Sequence, residues 1–172
     1  MGDDQFNSIE NLLGHLMSCG NDLTLLTLKG HLVLESFLDT ILARLLRISS
    51  LPIYPEHGAL EFVQKLTLVK MFVVQNYESG PNSDLFLVIR KLNTVRNELA
   101  HNLRKPEEIQ KQVKALLDCH HSKERKKPVR AADLSEPLRG CLVKLWQFLF
   151  RVRKHLFDME IERLARESKR GV

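Results

Sequence analysis

The sequence contains few of the residues that interrupt a helix or cross-link a chain. Its eight glycines and six prolines fall mainly between periodic apolar segments, which is typical of a helical protein and excludes collagen-like and repeat-rich classes. Its three cysteines are an odd number without a CxxC pair, which excludes a disulfide framework and suits a reducing cytosol. The sequence also lacks a P-loop, a glycine-rich dinucleotide fingerprint, a nucleophile elbow and a recognisable helix-turn-helix.

Two types of apolar segment are missing as well. The start of the chain, MGDDQFNSIENLL, is acidic and polar and lacks the basic region and apolar run of a signal peptide. In the most apolar stretch, 23–46, polar or charged residues recur along one side, namely Lys29, His31, Glu35, Asp39 and Arg44. This pattern predicts a half-buried helix instead of a membrane span. We therefore expect a cytoplasmic protein that makes no membrane contact.

The composition is that of one folded domain with a basic excess. Hydrophobic residues make up 44% and charged residues 27% of the 172 positions, which is enough to bury a core. The net charge of +5 and the isoelectric point of about 9.2 permit a nucleic-acid partner without requiring one. Most of the basic excess lies in the second half of the chain.

The apolar residues recur with a helical period along nearly the whole chain. The pattern and its capping residues predict six helices, at about 6–17, 22–48, 59–77, 84–101, 106–119 and 137–168. Long helices with short connections predict an all-α, up-and-down helical bundle of five to six helices. We divide the chain into a bundle core, a basic linker and a C-terminal helix that packs on the bundle, at 1–121, 122–136 and 137–172.

The most informative motif closes the fourth predicted helix. It reads Val95-Arg96-Asn97-Glu98-Leu99-Ala100-His101-Asn102. An arginine followed five residues later by a histidine is weak evidence by itself. Requiring Asn after the Arg and Ala before the His lowers the chance expectation by roughly two orders of magnitude. The motif is therefore a candidate site on a rigid element.

The helical position of the two motif residues poses a geometric problem. Residues five apart lie about 140° apart around a helix, so Arg96 lies beside the apolar seam and His101 on another face. A helix that ends or distorts near Ala100 would let them converge. Otherwise a second copy must bring them together across a two-fold axis, where each patch meets itself.

The motif resembles that of the HEPN superfamily, an Arg and a His separated by four to six residues, often with a polar residue after the Arg. Arg96, Asn97 and His101 match it, and the segment 29–35 looks like the preceding long helix of bacterial relatives. The resemblance implies a dimeric, metal-independent endoribonuclease, often a toxin with an antitoxin partner or a phage-defence effector. One toxin branch carries a modifiable Tyr two residues after the His, where this chain has Leu103.

The resemblance also implies roles for the three residues. His101 would remove or donate a proton, since histidine titrates near neutral pH. Arg96 would neutralise the charge that develops on the phosphorane, and Asn97 would orient His101 or the scissile phosphate. The RNA 2′-hydroxyl would be the nucleophile, so no cofactor or metal is needed, and a 2′,3′-cyclic phosphate and a 5′-hydroxyl are the expected ends.

Three further groups of residues could support RNA cleavage. His31 and Glu35 are four apart on the second helix, and we interpret them as support at the cleft rim or as a local polar pair. The linker supplies basic residues that could attract phosphate, Lys123, Arg125, Lys126, Lys127 and Arg130. Aromatic residues of the last helix, Trp146, Phe148 and Phe150, could stack on bases, although a place in the core is the simpler interpretation.

Other interpretations of the sequence remain open. The motif could be an ordinary helix-terminal cluster of charged and polar groups. The mannitol operon repressor family is also similar, and it implies a non-catalytic regulator or interaction module with a protein partner. A scaffold with a vestigial site is a third interpretation. Cys119-His120-His121 and the pair His15 and Cys19 lack the full ligand set of a zinc site, so we predict no metal.

Overall fold

A computed structural model describes residues 9–46, 60–76, 83–102, 106–123 and 133–170, and every structural statement below concerns these residues. They form six helices and no strand: α1 (Ile9–Met17), α2 (Leu23–Leu46), α3 (Phe62–Asn76), α4 (Ser83–Asn102), α5 (Pro106–Lys123) and α6 (Ser135–Arg170). The prediction of an all-α helical bundle is confirmed.

Local chemistry explains where the helices begin. Gly20 adopts a positive φ of 56° in the turn after α1, a conformation that favours glycine. Asp22 then caps α2, because its Oδ1 accepts the backbone N–H of Leu25 at 3.0 Å. The carboxylate of Asp133 accepts the backbone N–H of Ser135 at 2.8 Å, so α6 begins two residues before the predicted start at Pro137.

The core is built around α2 and α6, which run parallel. At one end the Arg139 guanidinium donates to the carbonyl of Gly20, and at the other Arg44 lies 5.1 Å from the Phe157 ring centroid. Between them, Phe37 and Trp146 pack edge to face at 5.9 Å. The apolar periodicity of α2 predicts seven inward-facing residues. Six are buried and Leu45 is partly buried; the six are Leu26, Leu34, Phe37, Leu38, Ile41 and Leu42.

The aromatic residues of α6 belong to this core. Trp146 and Phe148 are buried, Trp146 stacks on Phe150 at 5.1 Å, and Phe148 packs edge to face on Phe86 of α4 at 5.0 Å. These contacts use the ring faces that stacking on nucleotide bases would require.

The far end of α6 is different. Phe157, Ile161 and Leu164 follow one another at intervals of four and three residues, and about half of each side chain is exposed. They form an apolar stripe on one face of the helix.

None of the described helices combines the length and the apolarity needed to cross a lipid bilayer.

Candidate functional site

The helix that carries the motif runs without interruption from Ser83 to Asn102. The backbone is helical through Ala100 and the helix ends two residues later, so position 101 stays about 140° around the axis from Arg96. The described backbone of α4 shows no distortion that would turn position 101 toward Arg96.

Arg96 is half-buried, and its Nη1 donates a hydrogen bond to Oδ1 of the exposed Asn97 at 3.0 Å. Position 101 shares the helix face of three exposed residues, Arg90, Thr94 and Asn97. The side chains of His101 and Asn102 lie outside the described residues. The structure thus joins two of the three predicted catalytic residues, and Asn97 lies between the two faces.

His31, one of the two predicted supporting residues, is the most enclosed of the predicted site residues that the structure describes. It is only 2% exposed, and its Nε2–H donates to Oδ1 of Asn93 on α4 at 2.8 Å. Its ring lies against that of Phe62 on α3, with the centroids 4.3 Å apart. Three helices therefore fix the imidazole, which lies inside the bundle and not at an open rim.

Glu35 does not hydrogen-bond to His31, since the nearest approach, from Nδ1 to Oε2, is 3.8 Å. It pairs instead with Lys65 of α3, whose Nζ lies 3.1 Å from Glu35 Oε1 and 2.7 Å from Asp39 Oδ1. The Lys65 side chain is only 12% exposed. We call His31, Glu35, Asp39, Lys65 and Asn93 the His31 cluster.

Burial sets the charge state of this cluster. It is the main reason that the pKa of His31 is lowered; the nearby Arg96 and Lys65 lower it further, while the Asn93 bond and Glu35 oppose them. Burial likewise raises the pKa of Asp39 against the pull of Lys65. Burial alone would lower the pKa of Lys65, but its two carboxylate partners outweigh burial and raise it. His31 is therefore neutral at neutral pH, and Lys65 is charged.

The predicted motif and the His31 cluster are neighbours. Asn93 lies one turn before Arg96 on the same face of α4, and the charge of Arg96 acts on His31. Sequence reasoning missed Asn93 and Lys65. Asn93 could have been found, because it follows Ile89 by four residues and so continues the buried stripe of α4.

Of the predicted RNA-binding residues, the structure describes only the backbone of Lys123. Lys123 is the last residue of α5; its side chain, and Arg125, Lys126, Lys127 and Arg130, lie outside the described residues. On α6, the Arg153 guanidinium lies over the rings of Phe37 and Phe150, at 4.9 and 5.1 Å from their centroids. It is therefore engaged within the protein.

Metal-ligating residues are scattered in the part of the chain that the structure describes, where no three His, Cys, Asp or Glu residues are grouped closely enough to hold a metal ion. Cys19 instead donates its thiol to the carbonyl of His15 at 3.6 Å. A groove of about 350 Å³ lies between Arg44–Leu45 of α2 and the Leu156–Arg166 part of α6, and none of the predicted site residues lines it.

The chemical capacity of the site follows from these contacts. Arg96 presents a charged fork whose neighbour is a neutral amide, which suits it to bind a phosphate or another oxyanion. The neutral, buried His31 beside it can accept a proton.

Comparisons of the chain with protein-family models, with curated proteins and with solved structures found no match.

Proposed function

We propose that this protein is a metal-independent endoribonuclease of the HEPN type that acts as a homodimer. The observation that carries the proposal is the position of Arg96, which is half-buried, bonded to Asn97 and held one turn from a residue fixed inside the bundle. A guanidinium in such a position is pre-organised to bind a phosphodiester. The bundle architecture is compatible with this family.

The proposed reaction uses the RNA's own 2′-hydroxyl. Its oxygen attacks the adjacent phosphorus while His101 removes its proton, and the P–O5′ bond breaks as the leaving oxygen takes a proton from solvent water. Arg96 neutralises the charge on the non-bridging oxygens, and Asn97 holds the guanidinium. The products are a 2′,3′-cyclic phosphate and a 5′-hydroxyl.

The uninterrupted course of α4 is the reason for proposing a dimer. With Arg96 and position 101 on different faces, a single copy does not direct both at one phosphate. A two-fold axis beside α4 would place Arg96 of one protomer opposite position 101 of the other. The site is then shared between the copies.

RNA cleavage with and without EDTA tests the activity. We expect the wild type to cleave in EDTA and to leave 2′,3′-cyclic phosphate ends, whereas Arg96→Ala and His101→Ala should each lose at least 100-fold in rate, a typical cost of removing such a group. Arg166→Ala, at an exposed arginine on α6, is the matched control and should keep full activity. Cleavage that requires magnesium would overturn the mechanism.

Mixing two inactive variants tests the shared site. A heterodimer of Arg96→Ala with His101→Ala keeps one intact site, formed by Arg96 of one copy and His101 of the other. We expect the mixture, refolded together, to recover activity that neither variant has alone. Failure to recover activity, with heterodimers present by native mass spectrometry, would contradict a site divided between the copies.

The biological role that follows is a cytoplasmic toxin or phage-defence effector restrained by an antitoxin or regulatory protein. RNA is the substrate, and the basic residues Lys123, Arg125, Lys126, Lys127 and Arg130 would attract it. Expression in bacteria tests this role: wild type should arrest growth, and the double variant Arg96→Ala, His101→Ala should not.

A second function has its own supporting observation. The exposed stripe of Phe157, Ile161 and Leu164 has the spacing of a helix–helix seam, which suits a non-catalytic regulator or interaction module resembling the mannitol operon repressor. Growth that is indifferent to both the wild type and the double variant would favour this function. Ile161→Glu should then abolish binding of the partner that copurifies with the wild type.

A further inference from the structure

The two ring nitrogens of His31 have unequal surroundings. Nε2 carries a proton that it donates to Asn93 at 2.8 Å. Nδ1 is buried and has no hydrogen-bond partner among the described residues, although a carboxylate oxygen of Glu35 lies 3.8 Å away. A neutral ring therefore directs a lone pair at a carboxylate. A proton on Nδ1 would turn this unfavourable contact into an ion pair.

Three charged groups act on the ring from the described helices that pack around it. Glu35, on α2 itself, favours the extra proton, while Lys65 of α3 and Arg96 of α4 oppose it. Lys65 is held between two carboxylates, Glu35 and Asp39, so its charge is already balanced. Arg96 has the neutral amide of Asn97 as its hydrogen-bond partner. Burial is the largest cause that keeps the proton away, and an anion bound at Arg96 would remove the larger of the two opposing charges.

We propose that His31 takes up a proton on Nδ1 when an anionic group binds to the Arg96 guanidinium. The proton comes from water, the new N–H points at Glu35 Oε2, and no other bond changes. His31 and Asn93 are then positioning residues, since they hold the face of α4 that carries Arg96 and link its occupancy to a proton. The inference rests on the proposed function in that the anion is an RNA phosphate.

The coupling has a definite sign. Because linkage is reciprocal, an anion that raises the proton affinity of His31 must bind more tightly when His31 is protonated. Affinity for the anion therefore rises as the pH falls, by at most tenfold per pH unit for one coupled proton. A purely structural His31 would leave the affinity independent of its protonation.

Titration of histidine rings by NMR, in the full-length labelled protein, tests the electrostatic link without any ligand. Replacing Arg96 with Gln should raise the pKa of His31, because it removes a positive charge. Arg90→Gln removes the same charge from an exposed position of the same helix and should leave the pKa of His31 unchanged. The same His31 titration in wild type and Arg96→Gln would overturn the inference.

Addition of an uncleavable anion tests the coupling itself. A 2′-O-methyl oligoribonucleotide, which lacks the nucleophile, and sulfate, which does not titrate in this range, serve as probes. Each should raise the pKa of His31 in wild type and leave it unchanged in Arg96→Gln. If neither probe moves the titration while it binds, the proposal is wrong; a response to sulfate alone supports the proton coupling and removes RNA as the anion.

Substitution of His31 distinguishes its role as a hydrogen-bond donor to Asn93 from its role in taking up a proton. In His31→Gln, the side-chain amide can still donate to Asn93 but does not titrate. The dependence of oligonucleotide binding on pH between 5.5 and 7.5 should therefore become weaker than in the wild type, and the part that remains comes from His101 at the proposed site. Thermal unfolding and circular dichroism establish that the variant is folded. If it is not, Arg96→Gln replaces it: this variant keeps His31 but lacks the guanidinium, and its remaining binding of the oligonucleotide should show the same weakened pH dependence. Retention of the wild-type pH dependence would contradict the proposal. If anion binding is coupled to protonation of His31 but the protein does not cleave RNA, the proposed ribonuclease activity is wrong. If the protein cleaves RNA but the coupling is absent, the proposed role of His31 is wrong.

Discussion

Gly30 of α2 lies so close to Leu142 of α6 that a Cβ atom built on it would stand 2.5 Å from the leucine Cδ2. Both residues are buried. The two helices can approach this closely because glycine has no side chain at the crossing. The contact lies one residue before His31 in α2.

Replacement of Gly30 by alanine should destabilise the fold. The extra methyl forces Leu142 out of its position in a packed interface, at a cost of about 1–3 kcal/mol, which outweighs a gain of about 0.5–1 kcal/mol in helix propensity. We expect a net loss of up to about 2.5 kcal/mol in the free energy of unfolding, measured by urea denaturation.

Gly140→Ala is the matched control, since Gly140 also lies in a helix, but a methyl group added to it would meet no atom of a neighbouring described helix within 4 Å. It should gain about 0.5–1 kcal/mol. A stabilised Gly30→Ala protein would show that α2 and α6 are farther apart than described.

The protonation of His31 should make stability depend on pH. Burial, the main cause, holds the pKa of His31 in the folded protein below its ordinary value. A lowered pKa in a base means that the unfolded chain binds the proton more readily. The contribution of His31 is therefore fully present above about pH 6.5 and is lost as the pH falls through the folded-state pKa.

Urea midpoints at several pH values between 5 and 8 measure this effect. The wild-type midpoint should fall on acidification, and His31→Gln should flatten that part of the curve. His15, whose pKa is lowered by burial and by Lys29, is the control position because its side chain is less buried; His15→Gln should keep most of the acid sensitivity.

Loss of the Asn93 side chain should affect both stability and titration. Asn93→Ala leaves the buried Nε2–H of His31 without an acceptor, at a cost of about 1–3 kcal/mol. It should also lower the pKa of His31 further, because the Asn93 bond raises that pKa. NMR titration checks the second effect, and a rise in the pKa would mean that the bond is not formed in solution.

Arg139 should hold the turn between α1 and α2 against α6. Its guanidinium is only 7% exposed and donates to the Gly20 carbonyl and to Glu136. Arg139→Met keeps the apolar stem but removes these donors, which should cost about 1.5–3 kcal/mol. Hydrogen exchange should accelerate most at residues 18–22.

The exposed Arg151, also on α6, gives the comparison for Arg139. It donates from Nε to a carbonyl of its own helix, so Arg151→Met should change stability by less than about 0.5 kcal/mol. An equal loss in the free energy of unfolding of both variants would contradict a role of Arg139 in holding the turn.

Much of the fold could be predicted because local signals fix local structure. Gly20 and Asp22 mark the end of one helix and the start of the next, and Pro106 opens α5 where predicted. The β-branched run after Met71 could be a strand in isolation, but its helical flanks prevail, and α3 continues to Asn76. Helix ends were less predictable: α5 reaches Lys123 instead of Cys119, because polar residues after an apolar stripe do not stop a helix.

The candidate site was predictable only within single helices. The Arg96 and Asn97 neighbours and the His31 and Glu35 spacing are local and could be read from the sequence. The hydrogen bond from His31 to Asn93 joins residues 62 positions apart, and the ion pair of Lys65 with Glu35 joins α3 to α2. Such contacts depend on how α2, α3 and α4 cross, which periodicity does not specify.

The parallel pairing of α2 with α6 determines when the protein can fold. Ser135 contacts Asn21, and Arg139 contacts Gly20, across 114 and 119 positions of the chain. At roughly 5–20 residues per second, the ribosome needs about 5–20 s to deliver α6 after α2 has emerged. Throughout that interval the apolar residues of α2 that pack on α6, such as Phe37, lack their final partners, so we expect nascent chains of this protein to bind chaperones more than the completed protein does.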